Sequence, residues 1–358
     1  MTLSNLVSAL RRVAKCTSND RDSGLLSVRQ FRQVLARERA RSDRSGDRFC
    51  LLGFSAFDDA RAPDLPAKLP AILQRRLRAT DEAGWLDRNR IGVILPGTPP
   101  RGAWKLAKDV CQALAPVPEP MCRVYSYPTE ASELDEAIPQ RRTREDSHPV
   151  HALEMLFVQA MPLWKRTIDV IGAVVGLVLL SPLFFLMAAA IKISSPGPIL
   201  FRQWRSGRGG RPFLMYKFRS MVIDAEQRKS ELLPLNEQDG PAFKLSADPR
   251  VTRLGRFLRD TSIDELPQLL NVLKGDMSLV GPRPLPCEET ASCLDWQRRR
   301  LDVMPGLTCI WQVRGRSQVT FNEWVRMDLE YMRRQSLWQD FKILVTTVPA
   351  VVLRRGAK

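Results

Sequence analysis

Asp264 and Glu265 are adjacent carboxylates set among arginines, inside ADPRVTRLGRFLRDTSIDELPQLLNVLKGDMSLVGPRP (247–284). Arg250, Arg253, Arg256 and Arg259 recur every three residues, so on a helix or turn they form a basic ridge ending just before Thr261-Ser262. Those hydroxyls are suited to cap a helix that begins near Ile263. Carboxylates in a first turn ordinarily just complement the helix dipole. Here the flanking arginines, an apolar segment upstream and the rigid Gly281-Pro282-Arg283-Pro284 turn downstream lift the pair above that role. Further upstream, in FRQWRSGRGGRPFLMYKFRSM (201–221), Lys217 and Arg219 alternate with Tyr216 and Phe218. On a strand the cations leave by one face and the aromatics pack on the other, which suits either an anion site or a solvated edge. Gly207, Gly209 and Gly210 between short strand-like pieces read as a hairpin turn. Taken together, the positions beyond Ile191 suit phosphate chemistry.

Such a site needs elements to hold it. From Val170 to Ile191 the chain runs 22 residues without a charge. As a straight helix that is roughly 33 Å, enough to cross a hydrocarbon core of about 30 Å. Two features argue that it enters a bilayer without crossing. Ser181-Pro182 sits at its midpoint, where proline removes a backbone donor and forces a bend. Each half is then about 14–18 Å long, too short to span alone. Both flanks are also basic: Arg141, Arg142, Arg144, Lys165 and Arg166 before the run, and Lys192, Arg202, Arg205, Arg208 and Arg211 after it. The positive-inside tendency cannot orient a segment with two basic ends. A re-entrant hairpin over 165–192 resolves the conflict, and a proline-kinked spanning helix is the alternative.

The N-terminal region reads as α/β. FCLLGFSAF (49–57), IGVIL (91–95) and CRVYSYP (122–128) have the pattern of strands, and 27–42 and 102–114 that of amphipathic helices. Segment 131–160, with Pro139, Pro149 and the histidines His148 and His151, reads as a linker. Over the whole chain of 358 residues, 55 Lys and Arg against 39 Asp and Glu leave a net charge of +16. That surplus fits nucleic acid, an anionic membrane surface or phosphorylated substrates. No recognised nucleic-acid motif accompanies the basic residues, so no nucleic-acid partner is expected. Seven scattered cysteines without a CxxC pair make a zinc site or a disulfide framework a poor fit. The first fifty residues lack the apolar core of a signal peptide, so a reducing, cytosol-facing setting is expected.

Two family resemblances sharpen these readings. From Trp164 to about Arg355 the chain closely resembles the bacterial sugar transferase family, the monotopic polyprenol-phosphate phosphoglycosyl transferases. The matching segments are KRTID (165–169), the Ser181-Pro182 break, MYKFRSM (215–221), SIDELPQLLNVLKGDMSLVGPRP (262–284) and MPGLTCIWQVRGR (304–316). More loosely, residues 20–128 resemble the GGDEF family, the diguanylate-cyclase fold. Where that family carries its signature turn, this chain has Trp85-Leu86-Asp87-Arg88-Asn89-Arg90. The nucleotide-approaching glycines and paired metal carboxylates are missing, so a degenerate, regulatory or dimerising domain is implied, not a cyclase.

The first resemblance implies an activity. Enzymes of this kind move a sugar 1-phosphate from a UDP-sugar to a polyprenol phosphate such as undecaprenyl phosphate, releasing UMP, as the first membrane step of exopolysaccharide or related glycan assembly. Carried over residue by residue, Asp264 is the nucleophile that becomes a phosphosugar-aspartate, and Glu265 holds Mg²⁺. Lys217, Arg219, Arg259 and Arg283 are implied ligands of substrate phosphates, with Arg314 and Arg316 in the same role. Lys165 and Arg166 are expected to meet lipid headgroups, with Asp169 pairing with one of them. Segment 224–246 is a candidate wall of the sugar pocket. The implied architecture is an α/β domain over 1–130, the linker, and a mostly α-helical monotopic catalytic domain over 161–358. It would sit at the cytoplasmic face of a bacterial inner membrane. A membrane-tethered signalling or scaffold protein built on the cyclase-like region is the competing reading.

Overall fold

The computed structural model describes residues 24–55, 65–128, 149–314 and 319–352. The chain divides into two compact units, Met1–Leu156 and Phe157–Lys358.

The first unit is a five-stranded sheet with helices. Its elements are α1 (Val28–Ser45), β1 (Phe49–Ser55), α2 (Leu65–Arg76), β2 (Glu82–Asp87), β3 (Arg90–Pro96), α3 (Pro100–Leu114), β4 (Met121–Tyr127) and β5 (Val150–Ala152). The strand order is β2-β3-β1-β4-β5, antiparallel except for the β4–β5 pair. Helix α1 opens on a capping box in which Ser27 and Gln30 satisfy each other's backbone donors, and it closes at Gly46 in the left-handed region. Strand β1 is buried along almost its whole length, as a central strand should be. The sequence pattern finds β1, β3, β4, α1 and α3 but misses α2 and β2. Pro66 and Pro70 disguise α2 as a loop, since an interior proline opposes a helix. In β2, Gly84 lies so close to Phe31 and Leu26 that a Cβ there would fall 2.6 Å from the Phe31 ring. Packing, not alternation, therefore sets that strand. Val150–Ala152, expected to belong to a linker, pairs with β4, and His151 lies 5.5 Å from the Tyr125 ring. Most of the expected linker, including His148, lies outside the described residues.

The second unit begins with a broken helix: α4 (Leu163–Leu179) and α5 (Ser181–Ser194), bent by 61°. No single helix among the described residues is long and apolar enough to cross a membrane, but this bent pair together has the length and composition. The break falls at Leu180. Pro182 then occupies the first turn of α5, where its missing N–H costs nothing, and Ser181 Oγ donates to the Val178 carbonyl at 2.8 Å. Along α4, Lys165, Asp169 and Ala173 are buried at four-residue spacing, while Ile171, Val174, Val178 and Leu179 face outward. Gly172 and Gly176 allow that inner stripe close approach: a Cβ would lie 2.6 Å from Leu279 and 3.1 Å from Leu269. On α5, Phe185 is 78% and Ile193 86% exposed. Aromatic and branched side chains left outside over two helix faces mark a surface meant for apolar company.

The remainder carries more sheet than expected. β6 (Leu200–Ser206) and β7 (Pro212–Phe218) form an antiparallel hairpin through the predicted glycine turn, with Gly209 and Gly210 in the left-handed region. α6 (Arg253–Asp260) leads through a 3-10 turn, Ile263–Gln268, into α7 (Leu269–Lys274). β8 (Ser278–Val280) pairs in parallel with β9 (Gly306–Thr308). α8 (Ile310–Arg314), α9 (Phe321–Arg334) and α10 (Leu337–Val352) follow. A cluster of Ala173, Phe213, Met215, Val272, Met277, Val280, Tyr331 and Ile343 joins α4, the hairpin, α7, β8, α9 and α10 in one core.

Several local expectations change. Thr261 and Ser262 do not cap a helix: Thr261 Oγ1 bonds back to the Phe257 carbonyl, and Ser262 is itself left-handed at φ 56°. The cap of α6 is Thr252, whose Oγ1 accepts from Gly255 N–H at 2.9 Å. Arg250 leaves the basic ridge altogether. It is buried against Asp248 at 2.7 Å, so only Arg253, Arg256 and Arg259 stand exposed.

Candidate active site

Strand β7 carries Lys217 to one side of the 3-10 turn that holds Asp264 and Glu265. One side chain ties the backbone of the strand to α7. Asn271 is fully buried, accepts from Tyr216 N–H at 3.0 Å and donates to the Leu214 carbonyl at 2.8 Å. In this way an amide imitates a neighbouring strand. On the other side, Gly281-Pro282-Arg283-Pro284 follows β8 and brings in Arg283. A Cβ on Gly281 would lie 2.5 Å from the Met304 carbonyl oxygen, so only glycine permits the approach.

These three segments meet at Glu265. Lys217 Nζ donates to its Oε1 at 3.1 Å, and Arg283 takes both carboxylate oxygens in a fork, Nη1 to Oε2 at 3.0 Å and Nη2 to Oε1. Burial works against the Glu265 charge, but Arg283 and Lys217 outweigh it and hold the carboxyl well below its ordinary range. Asp264 is buried and makes no hydrogen bond among the described residues. Burial pushes its carboxyl up to about 6; the Lys217 ammonium opposes this and the Glu265 charge adds to it. Two adjacent carboxylates are thus set apart by environment: one clamped and always ionised, the other unclamped and titrating near neutrality.

Asp264, Glu265, Lys217, Arg283 and Arg259 all line a cavity of about 1330 Å³. Its walls come from two apolar clusters. Phe184 packs on Phe218, the residue after Lys217, at 5.4 Å. Trp311 and Trp324 pack together at 4.4 Å with Ala242 in the other cluster. Segment 224–246 forms part of the wall, with one short helical stretch at 229–235 and otherwise irregular chain, tied by a Lys229–Glu289 ion pair of 3.3 Å and by Asn236, whose Oδ1 accepts from Gln238 and Lys244 N–H.

Other expected site residues lie elsewhere or do other work. Arg219 lines the same cavity as Lys217, but it is buried and its guanidinium donates to the Pro196 carbonyl and to both Ser195 oxygens, each at 2.8 Å, so it staples the chain leaving α5. Lys165 does not reach headgroups: it is buried with Asp340, Tyr331 and the Val280 carbonyl. Arg166 closes α7 by donating to the Val272 and Leu273 carbonyls. Asp169 pairs with neither of them; it accepts from Ser278 Oγ and Leu279 N–H at 3.0 and 2.8 Å. The Arg314 side chain and Arg316 lie outside the described residues. Two residues that line or brace the site escape sequence reading. Arg205 lines the cavity and donates to the Pro284 carbonyl at 3.0 Å, and burial brings its guanidinium down to about 10. Asn271 leaves no periodic signal at all.

Mg²⁺, the cofactor the resemblance implies, would have few protein oxygens to bind here. No group of three His, Cys, Asp or Glu stands together among the described residues. Glu265 Oε1 already meets two donors, whereas Oε2 accepts one and keeps capacity for another partner. Such a set fits an ion that brings most of its shell as water and phosphate oxygen, as Mg²⁺ does.

The bacterial sugar transferase profile matches residues 160–354. A galactosyl transferase CpsE of Streptococcus agalactiae is 43% identical over 67% of this chain and 54% of its own. An undecaprenyl-phosphate galactose phosphotransferase of Salmonella typhimurium is 43% identical over 54% of this chain and 41% of its own. A UDP-glucose:undecaprenyl-phosphate glucose-1-phosphate transferase of Caulobacter vibrioides is 39% identical over 63% of this chain and 88% of its own. The chain spans about half the length of the first two. Among solved structures, a DGC protein of Thermotoga maritima overlaps 32% of the chain at 14% identity and a TM-score of 0.27, too slight a likeness to bear on the fold.

Proposed function

The chain belongs to the bacterial sugar transferase family, and on that premise we propose that it transfers a sugar 1-phosphate from a UDP-sugar to undecaprenyl phosphate through Asp264. The observation that carries this reading is the unbonded Asp264 carboxylate, buried at a cavity and flanked by the Lys217–Glu265–Arg283 cluster.

An Asp264 oxygen attacks the phosphorus that bears the sugar. The bond from that phosphorus to the bridging oxygen breaks, and UMP leaves with the electron pair. The polyprenol phosphate oxygen then attacks the same phosphorus, the Asp264–phosphorus bond breaks, and the carboxylate is restored. No general base is needed, because a carboxyl titrating near 6 is largely ionised at neutral pH. Charge is the main difficulty. Lys217, Arg283 and the exposed Arg259 place cations where phosphate oxygens and a carboxylate would otherwise repel one another. When bound, Mg²⁺ supplies further positive charge at the diphosphate, and Glu265 Oε2 is the protein oxygen suited to hold it. A cavity above the usual span of about 300–1,000 Å³ for one small ligand has room for donor and acceptor head groups in turn.

The bent α4–α5 pair, apolar on its outer faces, serves in this reading as a re-entrant anchor at the cytoplasmic face of a bacterial inner membrane, bringing the cavity to the depth of a lipid phosphate. The first unit is proposed to be a degenerate GGDEF-like regulatory or dimerising domain. Its β2–β3 turn holds an Asp87–Arg90 ion pair of 2.6 Å in place of a nucleotide-approaching glycine turn.

Purified protein with Mg²⁺, a panel of UDP-sugars and undecaprenyl phosphate tests the proposal. UMP release, and a phosphosugar adduct on Asp264 by mass spectrometry when the acceptor is withheld, are expected. An adduct on another residue overturns the nucleophile, and no release with any UDP-sugar overturns the activity.

A further inference from the structure

Arg283 sits in an unusual stretch of backbone. Pro282 and Pro284 on either side have no N–H, so the segment cannot be fixed by a regular ladder. Beyond Gly281, whose N–H donates to the Thr308 carbonyl at 3.0 Å, it is fixed through carbonyls gripped from outside. Gly306 N–H donates to the Pro282 carbonyl at 2.8 Å and Ser206 N–H to that of Leu285 at 2.9 Å. The other grips are side chains. The Val280 carbonyl accepts from Lys165 Nζ at 2.9 Å and has Tyr331 Oη beside it at 3.1 Å, the one phenol proton being shared between that carbonyl and Asp340 Oδ1 at 2.8 Å. Arg300 Nη2 donates to the Arg283 carbonyl at 2.6 Å, and Arg205 to the Pro284 carbonyl at 3.0 Å.

Helix α9 lies behind two of these grips. Trp324, Asp328 and Tyr331 are buried at the i, i+4, i+7 spacing of one helical face. Tyr331 reaches the near side of the Gly281-Pro282 turn directly. Asp328 reaches the far side through Arg300: its Oδ2 lies 2.7 Å from Arg300 Nη2, and the guanidinium rests 4.9 Å from the Trp324 ring centre. Arg300 is 4% exposed and Asp328 1%, so this pair is part of the interior. A buried pair of this sort contributes little net stability against well-packed apolar residues, which makes a positional role the better account of it.

We infer that Arg300, held by Asp328, and Tyr331 are positioning residues that set Arg283 against Glu265 by fixing the main chain on both sides of the Gly281-Pro282 turn. The inference rests on the proposed transfer reaction and says which residues outside the cavity's reacting groups that reaction depends on. Neither Asp328 nor Tyr331 would touch substrate. Their effect passes through the Arg283 fork.

The test is a set of double-mutant cycles in the full chain, reading UMP release with kcat and KM separately. Arg300→Met removes one grip and fills its space with apolar atoms, and Tyr331→Phe removes only a hydroxyl. Each is expected to lower kcat by about tenfold with a smaller change in KM. In an Arg283→Ala background the same substitutions should cost less than about twofold, because the group they position is already gone. If Arg300→Met does not fold, Tyr331→Phe carries the same comparison. Losses of equal size in both backgrounds overturn the inference and leave the transfer reaction standing. An Arg283→Ala chain as fast as the unaltered one overturns the inference and the role given to Arg283, whereas no UMP release from the unaltered chain overturns the transfer reaction itself.

Discussion

Lys165, in the first turn of α4, and Asp340, in the first turn of α10, form a buried ion pair, Nζ to Oδ2 2.5 Å. The same ammonium donates to the Val280 carbonyl at 2.9 Å and to Tyr331 Oη at 3.1 Å, so all three of its protons have acceptors. One lysine thus ties the helix that opens the apolar hairpin to the C-terminal helix and to the strand leading into Arg283. Together with Asp169 on Leu279 N–H, it makes α4 a rib of the catalytic unit as well as half of the hairpin.

Breaking that pair from one side should be costly. Lys165→Met leaves Asp340 buried without its counter-charge, and a loss of about 3–5 kcal/mol is expected. The double substitution Lys165→Met with Asp340→Leu should recover much of it, since apolar side chains of similar volume replace a buried pair at little cost. Denaturant unfolding of the three variants in matched detergent decides the matter. A double variant no more stable than the single one would show that the pair is not the source of the loss.

Asn271 offers a second test of the scaffold. Its amide bridges α7 to the backbone of β7 on either side of Met215, two residues before Lys217. Asn271→Ala leaves a buried N–H and a buried carbonyl without partners, each costing about 1–3 kcal/mol. Asn271→Asp keeps the acceptor for Tyr216 N–H but sets a buried carboxylate against the Leu214 carbonyl and Asp276 Oδ2, both of which the amide donates to. Melting temperatures of both variants below that of the unaltered chain, with Asn271→Asp no higher than Asn271→Ala, are expected.

How much of this was legible in the residues divides along physical lines. The apolar run with Ser181-Pro182, the β6–β7 hairpin at Gly209-Gly210, and the Asp264-Glu265 pair beside basic residues all leave local marks: period, turn chemistry, charge. The work of Lys165, Arg166 and Arg219 leaves none. Each is a cation flanking apolar sequence, and the same pattern describes a headgroup ligand, a phosphate ligand or a structural staple. Only the carbonyls and carboxylates brought up from residues 23 to 175 positions away distinguish these. The expected cap at Thr261-Ser262 gives way to the unexpected one at Thr252 for a related reason. Both are threonines at helix boundaries, and the short turn through Ser262 at φ 56° decides which helix each serves.

The pH dependence of the reaction follows from the Asp264 environment. Its carboxyl is pushed up to about 6 by burial, and the attacking form is the carboxylate. The value of kcat/KM should therefore be level above that pH and fall as pH drops through it, approaching tenfold per unit on the acid side. Glu265 stays ionised across this range and adds no second limb. Lys217 favours the Asp264 charge, so Lys217→Met should move the acid limb to higher pH as well as lowering the plateau. An acid limb that stays in place in that variant would assign the titration to another group.

The break between α4 and α5 gives the last prediction, and it separates the re-entrant anchor from a kinked span. A continuous helix over 163–194 would place Pro182 in its interior, at a cost of about 3 kcal/mol from the lost hydrogen bond and the ring's clash. At the first turn of α5 that cost vanishes, and Ser181 Oγ takes up the Val178 carbonyl. The sequence thus favours two short helices bent by 61° over one long one. Leu163 and Ile193, both 86% exposed, mark the two ends. Single cysteines placed there should react with a membrane-impermeant maleimide from the same side of sealed vesicles, read against the unaltered chain. Pro182→Ala with Ser181→Ala removes the penalty on the straight helix and should move a fraction of the chains to opposite-side labelling. Labelling from opposite sides in the unaltered chain would make the pair a kinked span, and the cavity would then need another way to meet a lipid phosphate.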